Sequence, residues 1–345
     1  MMPDATIGEA ADEATGHKAK SPGWRRLLLT NEFGLVLLIA LFALVFSLAA
    51  SGFTSRFGLY AMGRTMAIDI MVGFSMMVVI VTGGLNLAVG AIAICAVMAF
   101  GWLIEVAGLP LPLAMLGALA MSAALGWING VLIVRSGIHS FIITLATMSI
   151  FFGAMIFLTR AEAFRALPPS LGEFGKMKIG GVISPLLLVT LVVALALSYL
   201  YRFTSLGRQM LAAGAAPAAA EISGIRVGRA FIACHVLSGL LATIAGLMLT
   251  ARNGAAIPSM AGHLGQDWLL PAFLAPVLGG TLLTGGRASV AGTFLGGALV
   301  TMLATGLLLL QVGEFWVQAV LGVLLLVAVF ADGARRNYLA RRKMA

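Results

Sequence analysis

The sequence predicts an all-α fold, a polytopic transmembrane helical bundle of about ten spans with a parallel internal duplication. Its 345 residues are 61% hydrophobic and only 10% charged, whereas soluble domains are about 45–50% apolar and about 25% charged. The mean hydropathy is +1.05, and the apolar residues fall into runs of roughly 20, the length that a helix needs to cross a bilayer. A water-soluble fold could not cover so much apolar surface with polar groups. The composition therefore excludes a cytosolic enzyme, and it also excludes a disordered chain, because every long stretch can bury apolar area.

Polar segments flank a single transmembrane domain. Residues 1–30 are predicted to form a cytoplasmic polar tail, because residues 1–22 carry acidic and basic side chains without an apolar period. This tail is too long and too acidic for the basic start of a cleaved signal peptide. The transmembrane domain then covers residues 31–334, and residues 335–345 form a basic cytoplasmic tail.

Ten apolar segments qualify as spans. In chain order they are residues 33–51, 66–82, 88–107, 111–134, 141–158, 185–203, 230–251, 268–283, 290–310 and 315–331. With both termini in the cytoplasm, fifteen of the 22 Lys and Arg residues lie inside and seven outside. Cytoplasmic loops are enriched in Lys and Arg, so this bias favours ten spans. The net charge of +9 is dispersed between spans rather than clustered on one face, and no nucleic-acid partner is predicted.

Two glycine-rich segments interrupt the apolar runs. The first contains Gly83, Gly84, Asn86 and Gly90, and the second contains Gly279, Gly280, Thr281 and Thr284. In the predicted topology, each segment follows a span that runs from outside to inside and precedes a span that runs back to the outside. Because both segments have the same orientation, the offset of 196 residues between Gly83 and Gly279 indicates a parallel duplication. Paired, glycine-interrupted segments in corresponding halves are the best sequence indication of a transport site. The alternative is that these glycines only let helices pack closely.

The inside loop, residues 202–229, is predicted to contain short helices of its own. It is Ala-rich, and Gly207, Gly214 and Gly224 suit the turns between such helices. A simple connector needs only about 2–8 residues, so the loop is predicted to dock another protein. The alternative, an amphipathic helix on the lipid surface, would require a large aromatic face that this loop lacks. The outside loop, residues 159–184, is either a binding surface for a soluble partner protein or a solvated turn.

No catalytic, metal-binding or cofactor-binding site is predicted on this chain. The string G-x-x-x-x-G-K-[ST] of a phosphate-binding loop does not occur in the sequence, and the four His and two Cys residues are dispersed. Intramembrane acids are scarce, and Asp69, Glu105 and Asp267 fall near the outer ends of spans. Ion-coupled carriers usually need ionisable groups near the midplane, so the energy for transport is expected to come from another chain.

Four short motifs occur in order along residues 33–332. They are residues 83–90 (GGLNLAVG), 144–148 (TLATM), 207–225 (from GR to EISGI) and 277–293 (from VLGGT to GGRASVAGT). In these motifs the chain resembles the inner-membrane permease subunits of bacterial ABC importers for ribose, xylose, other sugars and the related autoinducer. Asn86 stands where many members have Asp, and Ala88 where Ser is usual. The middle of the inside loop also carries neutral residues where the family has polar or charged ones. These departures do not affect the assignment to the transporter class, but they do not allow a specific sugar to be assigned.

The resemblance implies a permease subunit that forms the path for a small polar solute, a monosaccharide or related polyol. It implies a cytoplasmic ATPase that binds the ATP, an extracytoplasmic solute-binding protein, and a second permease copy or homologue, all at the bacterial inner membrane. Thr144 and Thr147 join the residues of the two glycine-rich segments as path residues. Coupling to the ATPase is assigned to Gly207, Arg208, Gly214, Glu221, Ser223 and Gly224.

Other functions stay open at this point. The nearest is an ABC permease for branched-chain amino acids or nucleosides, in the same superfamily. A self-contained secondary carrier or channel is a further alternative, and a non-transporting scaffold or enzyme is disfavoured by the lack of catalytic clusters.

Overall fold

The computed structural model describes residues 31–344, with side chains for residues 32–330. The described part is built of helices and contains no β-strand, only isolated bridges. The helices are α1 (Asn31–Ala49), α2 (Arg56–Ile80), α3 (Val89–Glu105), α4 (Leu111–Ser136), α5 (Ser140–Thr159), α6 (Pro169–Lys176), α7 (Pro185–Phe203), α8 (Ser205–Ala215), α9 (Pro217–Ile222), α10 (Val227–Asn253), α11 (Leu269–Leu278), α12 (Val290–Leu309) and α13 (Glu314–Met344). The predicted tail of residues 1–30 lies outside the described residues, whereas the backbone of residues 335–344 continues α13.

Seven of these helices are long and apolar enough to cross a membrane. They are α1, α2, α4, α5, α7, α10 and α12, and two shorter apolar helices, Val89–Glu105 and Glu314–Phe330, accompany them. Large apolar side chains cover the outside of the bundle: Leu48, Phe157 and Val192 are 81%, 84% and 65% exposed. An exposed apolar surface of this extent suits lipid rather than water. The predicted polytopic helical membrane protein is thus confirmed, while the number of ten spans and the duplication stay predictions.

The core of the bundle is formed by α2, α3 and α10. The side chains of α3 from Val89 to Met98 are almost fully buried, as are those of the second half of α2. Small residues let neighbouring helices approach this core closely. A Cβ at Gly73 of α2 would touch Ala275 of α11, and one at Gly130 of α4 would touch Ile232 of α10. Between apolar helices in a bilayer, such close approach maximises van der Waals contact.

The segment between α10 and α11, residues 254–268, turns back into the bundle instead of staying at its end. It contains a short 3-10 helix, His263–Trp268, and its Gly265 backbone lies against Gly90 in the first turn of α3. We call residues 254–268 the re-entrant segment. Unwound backbone at this depth is tolerated because protein surrounds it.

The helix that follows the re-entrant segment is short. We expected one span over residues 268–283, but α11 has only ten residues, or about 15 Å at about 1.5 Å per residue. That length is half of a hydrocarbon core. Residues 268–283 therefore do not form one continuous helix, because the chain reaches the start of α11 already inside the bundle and the helix ends at Gly279.

Candidate functional site

The first glycine-rich segment, residues 81–88, is an unwound link between α2 and α3. Gly83 has a φ of 75°, a conformation that favours glycine. Asn86 is fully buried, and its Nδ2 donates to Ser238 Oγ at 3.0 Å while its Oδ1 accepts from the Ala88 amide at 3.1 Å. Ser238 lies eleven residues into α10, which is about 16 Å at about 1.5 Å per residue. Asn86 therefore ties the link to α10 deep in the bundle.

Side chains at the start of α5 bind the backbone that this link leaves unpaired. Ser140 Oγ accepts from the Leu85 amide at 2.8 Å, and Thr144 Oγ1 accepts from the Leu87 amide at 3.1 Å. Buried backbone groups need such partners wherever helix hydrogen bonds stop. Thr144 and Thr147, which the sequence assigned to the solute path, are 0% and 4% exposed. Their hydroxyls donate to carbonyls of α5 itself, so both side chains lie inside the subunit.

The second glycine-rich segment, residues 279–289, links α11 to α12 in a similar way. Gly279 lies against the Gly292 backbone, and Gly280 has a φ of 79°. Thr281 is buried and its Oγ1 accepts from the Ser289 amide at 3.4 Å, whereas Thr284 is exposed. The threonine hydroxyl of Thr281 thus closes the loop, and only Thr284 of the expected path residues in this segment reaches the surface with its side chain.

The two glycine-rich segments touch each other although about 200 residues of sequence separate them. The Gly286 amide donates to the Val81 carbonyl at 2.8 Å. A Cβ at Gly83 would lie 3.2 Å from the Thr284 carbonyl, and one at Gly285 would lie 2.7 Å from the Gly83 amide. The tertiary fold therefore joins both segments in one contact zone, which their spacing in the sequence did not reveal.

The inside loop packs directly on this zone through α8. Gly214, in the last turn of α8, is buried, and a Cβ there would collide with the Val81 carbonyl and lie 2.7 Å from the Gly286 amide. Ala215, the next residue, lies against Gly286. The end of α8 therefore rests on both glycine-rich segments at once. We call these contacting residues, Val81, Gly83, Gly214, Gly285 and Gly286, the junction.

The structure changes the roles expected of the loop glycines. Gly207 and Gly214 lie inside α8 and pack on the chain itself, so the expectation that they form turns is wrong; the bend between α8 and α9 falls at Ala216. Gly224 does form a turn, with a φ of 79°. The exposed residues of the loop that the sequence selected are Arg208, Glu221, Ser223 and Gly224.

One exposed residue of this loop escaped the sequence reasoning. Ile222, at the end of α9, is 90% exposed. A single exposed apolar side chain is common on protein surfaces and does not by itself mark a contact surface. The hydropathy pattern of a six-residue helix is too short to have revealed it.

No metal centre is present among the described residues, since no three His, Cys, Asp or Glu side chains converge there. A cavity of about 410 Å³ opens beside the first glycine-rich segment and reaches from Thr82 and Ser140 to Glu221 and Phe231. The cavity thus lies between the first unwound link and residues of α4, α5, α9 and α10.

The described residues form a multi-pass helical bundle with two unwound links, and such interrupted helices in a membrane protein indicate a transport site. The comparison with known families agrees: the chain belongs to the family described as branched-chain amino acid transport system / permease component, whose model matches residues 58–329. Members of this family are transport components rather than enzymes.

Several curated proteins are similar over most of their length. A ribose import permease protein of Bacillus subtilis is 35% identical over 306 residues, which cover 88% of this chain and 92% of that protein. A ribose import permease protein of Escherichia coli K12 is 32% identical, over 89% of this chain and 95% of that protein. A fructose import permease protein of Rhizobium meliloti is 32% identical, over 85% and 84%. No solved structure matches the chain significantly.

Proposed function

We propose that this chain is the membrane-spanning subunit of an ATP-driven importer for a monosaccharide. The similar proteins named above are import permeases for ribose and fructose, and a further one at 30% identity is a D-allose transport system permease protein. A neutral polyol needs hydrogen-bonding groups and small side chains rather than fixed charges along its route. The scarcity of acidic residues inside the described spans agrees with such a solute.

The partners follow from the same assignment. A cytoplasmic ATPase binds and hydrolyses ATP, a solute-binding protein delivers the sugar from the extracytoplasmic side, and a second permease copy or homologue completes the membrane part. Both termini then lie in the cytoplasm, and the polar tails flank the permease domain of residues 31–334. The distribution of Lys and Arg supports this orientation.

The observation that carries the proposal is the contact of Gly214 with both glycine-rich segments at the junction. The exposed side of the loop, with Arg208, Glu221 and the 90% exposed Ile222, faces the ATPase. The buried side of α8 rests on the unwound links. Movement of the ATPase pushes α8, and α8 displaces two links that lack the stiffness of continuous helices. Coupling thus depends on close packing rather than on a long chain of side-chain bonds.

The solute path runs beside the glycine-rich segments and along α5. Thr144 and Thr147 lie on the buried face of α5. Ala146, Ser149 and Gly153 are exposed on the other face. Nothing lies within 4 Å of a Cβ at Gly153, so this face has room for a solute or for a partner permease across the path. Gly83, Gly84, Asn86, Gly90 and the corresponding residues of the second segment shape the inner end of this wall.

Reconstitution in liposomes tests the proposal. The chain is combined with its ATPase and binding protein, and uptake of labelled D-ribose, D-fructose, D-allose, L-leucine and adenosine is measured with and without ATP. We expect ATP-dependent uptake of one or more of the sugars. Uptake of leucine or adenosine alone would assign the chain to another solute class, and uptake without the ATPase would identify a self-contained carrier.

A further inference from the structure

A cavity of about 430 Å³ lies at the end of α5 that is remote from the junction. Its walls include Phe152, Ile156, Ile257, Pro258, Ser259 and His263, so it is bounded by α5 on one side and by the re-entrant segment on the other. Ligand pockets in proteins are typically about 300–1,000 Å³ in volume. We call this space the α5 cavity.

The α5 cavity has a buried floor and an accessible rim. Phe152 is 7% exposed and Pro258 is buried, whereas Ser259 and His263 are exposed. The rings of Phe152 and His263 meet edge to face, with their centroids 5.4 Å apart. A solute can therefore enter past the two polar side chains and come to rest against an aromatic surface.

The chemistry of the walls selects a neutral solute. None of the residues that line the cavity is Asp, Glu, Lys or Arg, and the polar side-chain groups are one hydroxyl and one imidazole. An amino-acid zwitterion would find no charged side chain on these walls, so a charged group that lay against the buried floor would lose hydration without compensation. A sugar ring instead offers a C–H face to Phe152 and hydroxyls to Ser259 and His263.

The position of the cavity relates it to transport. α5 begins at Ser140, whose Oγ is hydrogen-bonded to the first glycine-rich segment, and the cavity lies beyond its middle, near Ala161. The same re-entrant segment that forms the cavity wall contacts Gly90 through Gly265. A solute in the cavity therefore touches the element that leads back to the unwound link.

We propose that the α5 cavity is an outward-facing site at which the permease receives a neutral monosaccharide from the binding protein. This inference rests on the proposed function and adds the residues that recognise the solute. The site is weak, since it has two polar side chains and an open rim, and weak binding lets the sugar move on.

Protection of a cysteine tests occupancy directly. Ser259→Cys is introduced in the assembled importer, where the native Cys95 and Cys234 are buried, and its reaction with a hydrophilic thiol reagent is timed. The probe is the labelled monosaccharide with the largest wild-type uptake. With a Kd of about 10 mM, about 100 mM sugar fills roughly nine-tenths of the sites and slows labelling about tenfold. Ser51→Cys is the matched control, because Ser51 is an exposed serine at the same end of the bundle, and its labelling should not change.

A filling variant tests the role in transport. Ser259→Trp should lower sugar uptake at least tenfold at equal membrane levels. Ser51→Trp should not change uptake. Uptake within twofold of wild type for Ser259→Trp, or no sugar protection of Ser259→Cys, would overturn the cavity proposal and leave the proposed function intact. A wild-type complex that transports leucine but no sugar would overturn both.

Discussion

The packing of Gly214 on the junction leads to a prediction whose size can be derived from the contacts. Gly214→Ala adds one methyl group where a Cβ collides with the Val81 carbonyl and lies 2.7 Å from the Gly286 amide. Both neighbours are backbone atoms, so neither can rotate away. Overpacking of a filled interior typically costs about 1–3 kcal/mol, and the gain in helix propensity of Ala over Gly, about 1 kcal/mol, offsets part of that cost.

Gly63→Ala separates these two contributions. Gly63 lies inside α2, and nothing lies within 4 Å of a Cβ built there. This control should therefore show the propensity gain without a collision. The two variants should differ by about 1–3 kcal/mol in the free energy of unfolding, the cost of overpacking alone.

The assay has a stability part and a coupling part. Thermal unfolding of the solubilised complex compares the two alanine variants, and sugar uptake per ATP hydrolysed compares wild type with Gly214→Val, which forces α8 further from the junction. We expect Gly214→Val to abolish stimulation by the binding protein while basal hydrolysis by free ATPase subunits is unchanged. Equal stability of Gly214→Ala and Gly63→Ala, or full stimulation of Gly214→Val, would refute the reasoning that coupling passes through this contact.

Three further predictions follow from other contacts. Asn86→Leu leaves the Ala88 amide and a serine hydroxyl of α10 unpaired, so stability in a thermal assay should fall by about 1–3 kcal/mol and uptake with it; unchanged unfolding and uptake would show that these bonds are dispensable. Gly265→Ala combines a φ of 75° with a collision at α3, so it should lower the yield of folded protein more than Gly180→Ala, which has a φ of 61° and open space; equal yields would argue against the re-entrant packing. A cysteine at position 216 should react with an impermeant thiol reagent only from the cytoplasmic side and one at 176 only from outside, and labelling of position 216 from outside would contradict the orientation.

Local sequence signals were enough for much of the bundle and for the location of its unwound links. α4, α5 and α7 begin and end within two residues of the predicted spans, because long apolar runs bounded by Gly, Pro or charged residues specify transmembrane helices by length alone. The glycine-rich segments also lie where predicted, since clustered glycines disfavour a helix whatever surrounds them. Family membership followed from motifs of a few adjacent residues, which require no knowledge of tertiary contacts.

Only the tertiary structure decided which side of each helix is buried and which distant segment it contacts. Thr144 and Thr147 were expected to line the path, and only the structure shows that both are buried and that Thr144 accepts from the Leu87 amide of the unwound link. α11 looked like a complete span because the composition of residues 268–283 does not tell at what depth the chain enters it. Gly214 looked like a turn residue because its partners, Val81 and Gly286, are more than 70 residues away on either side. Hydropathy and spacing describe neighbours along the chain, whereas the junction and the α5 cavity are made by contacts between distant segments, which form only when the helices pack.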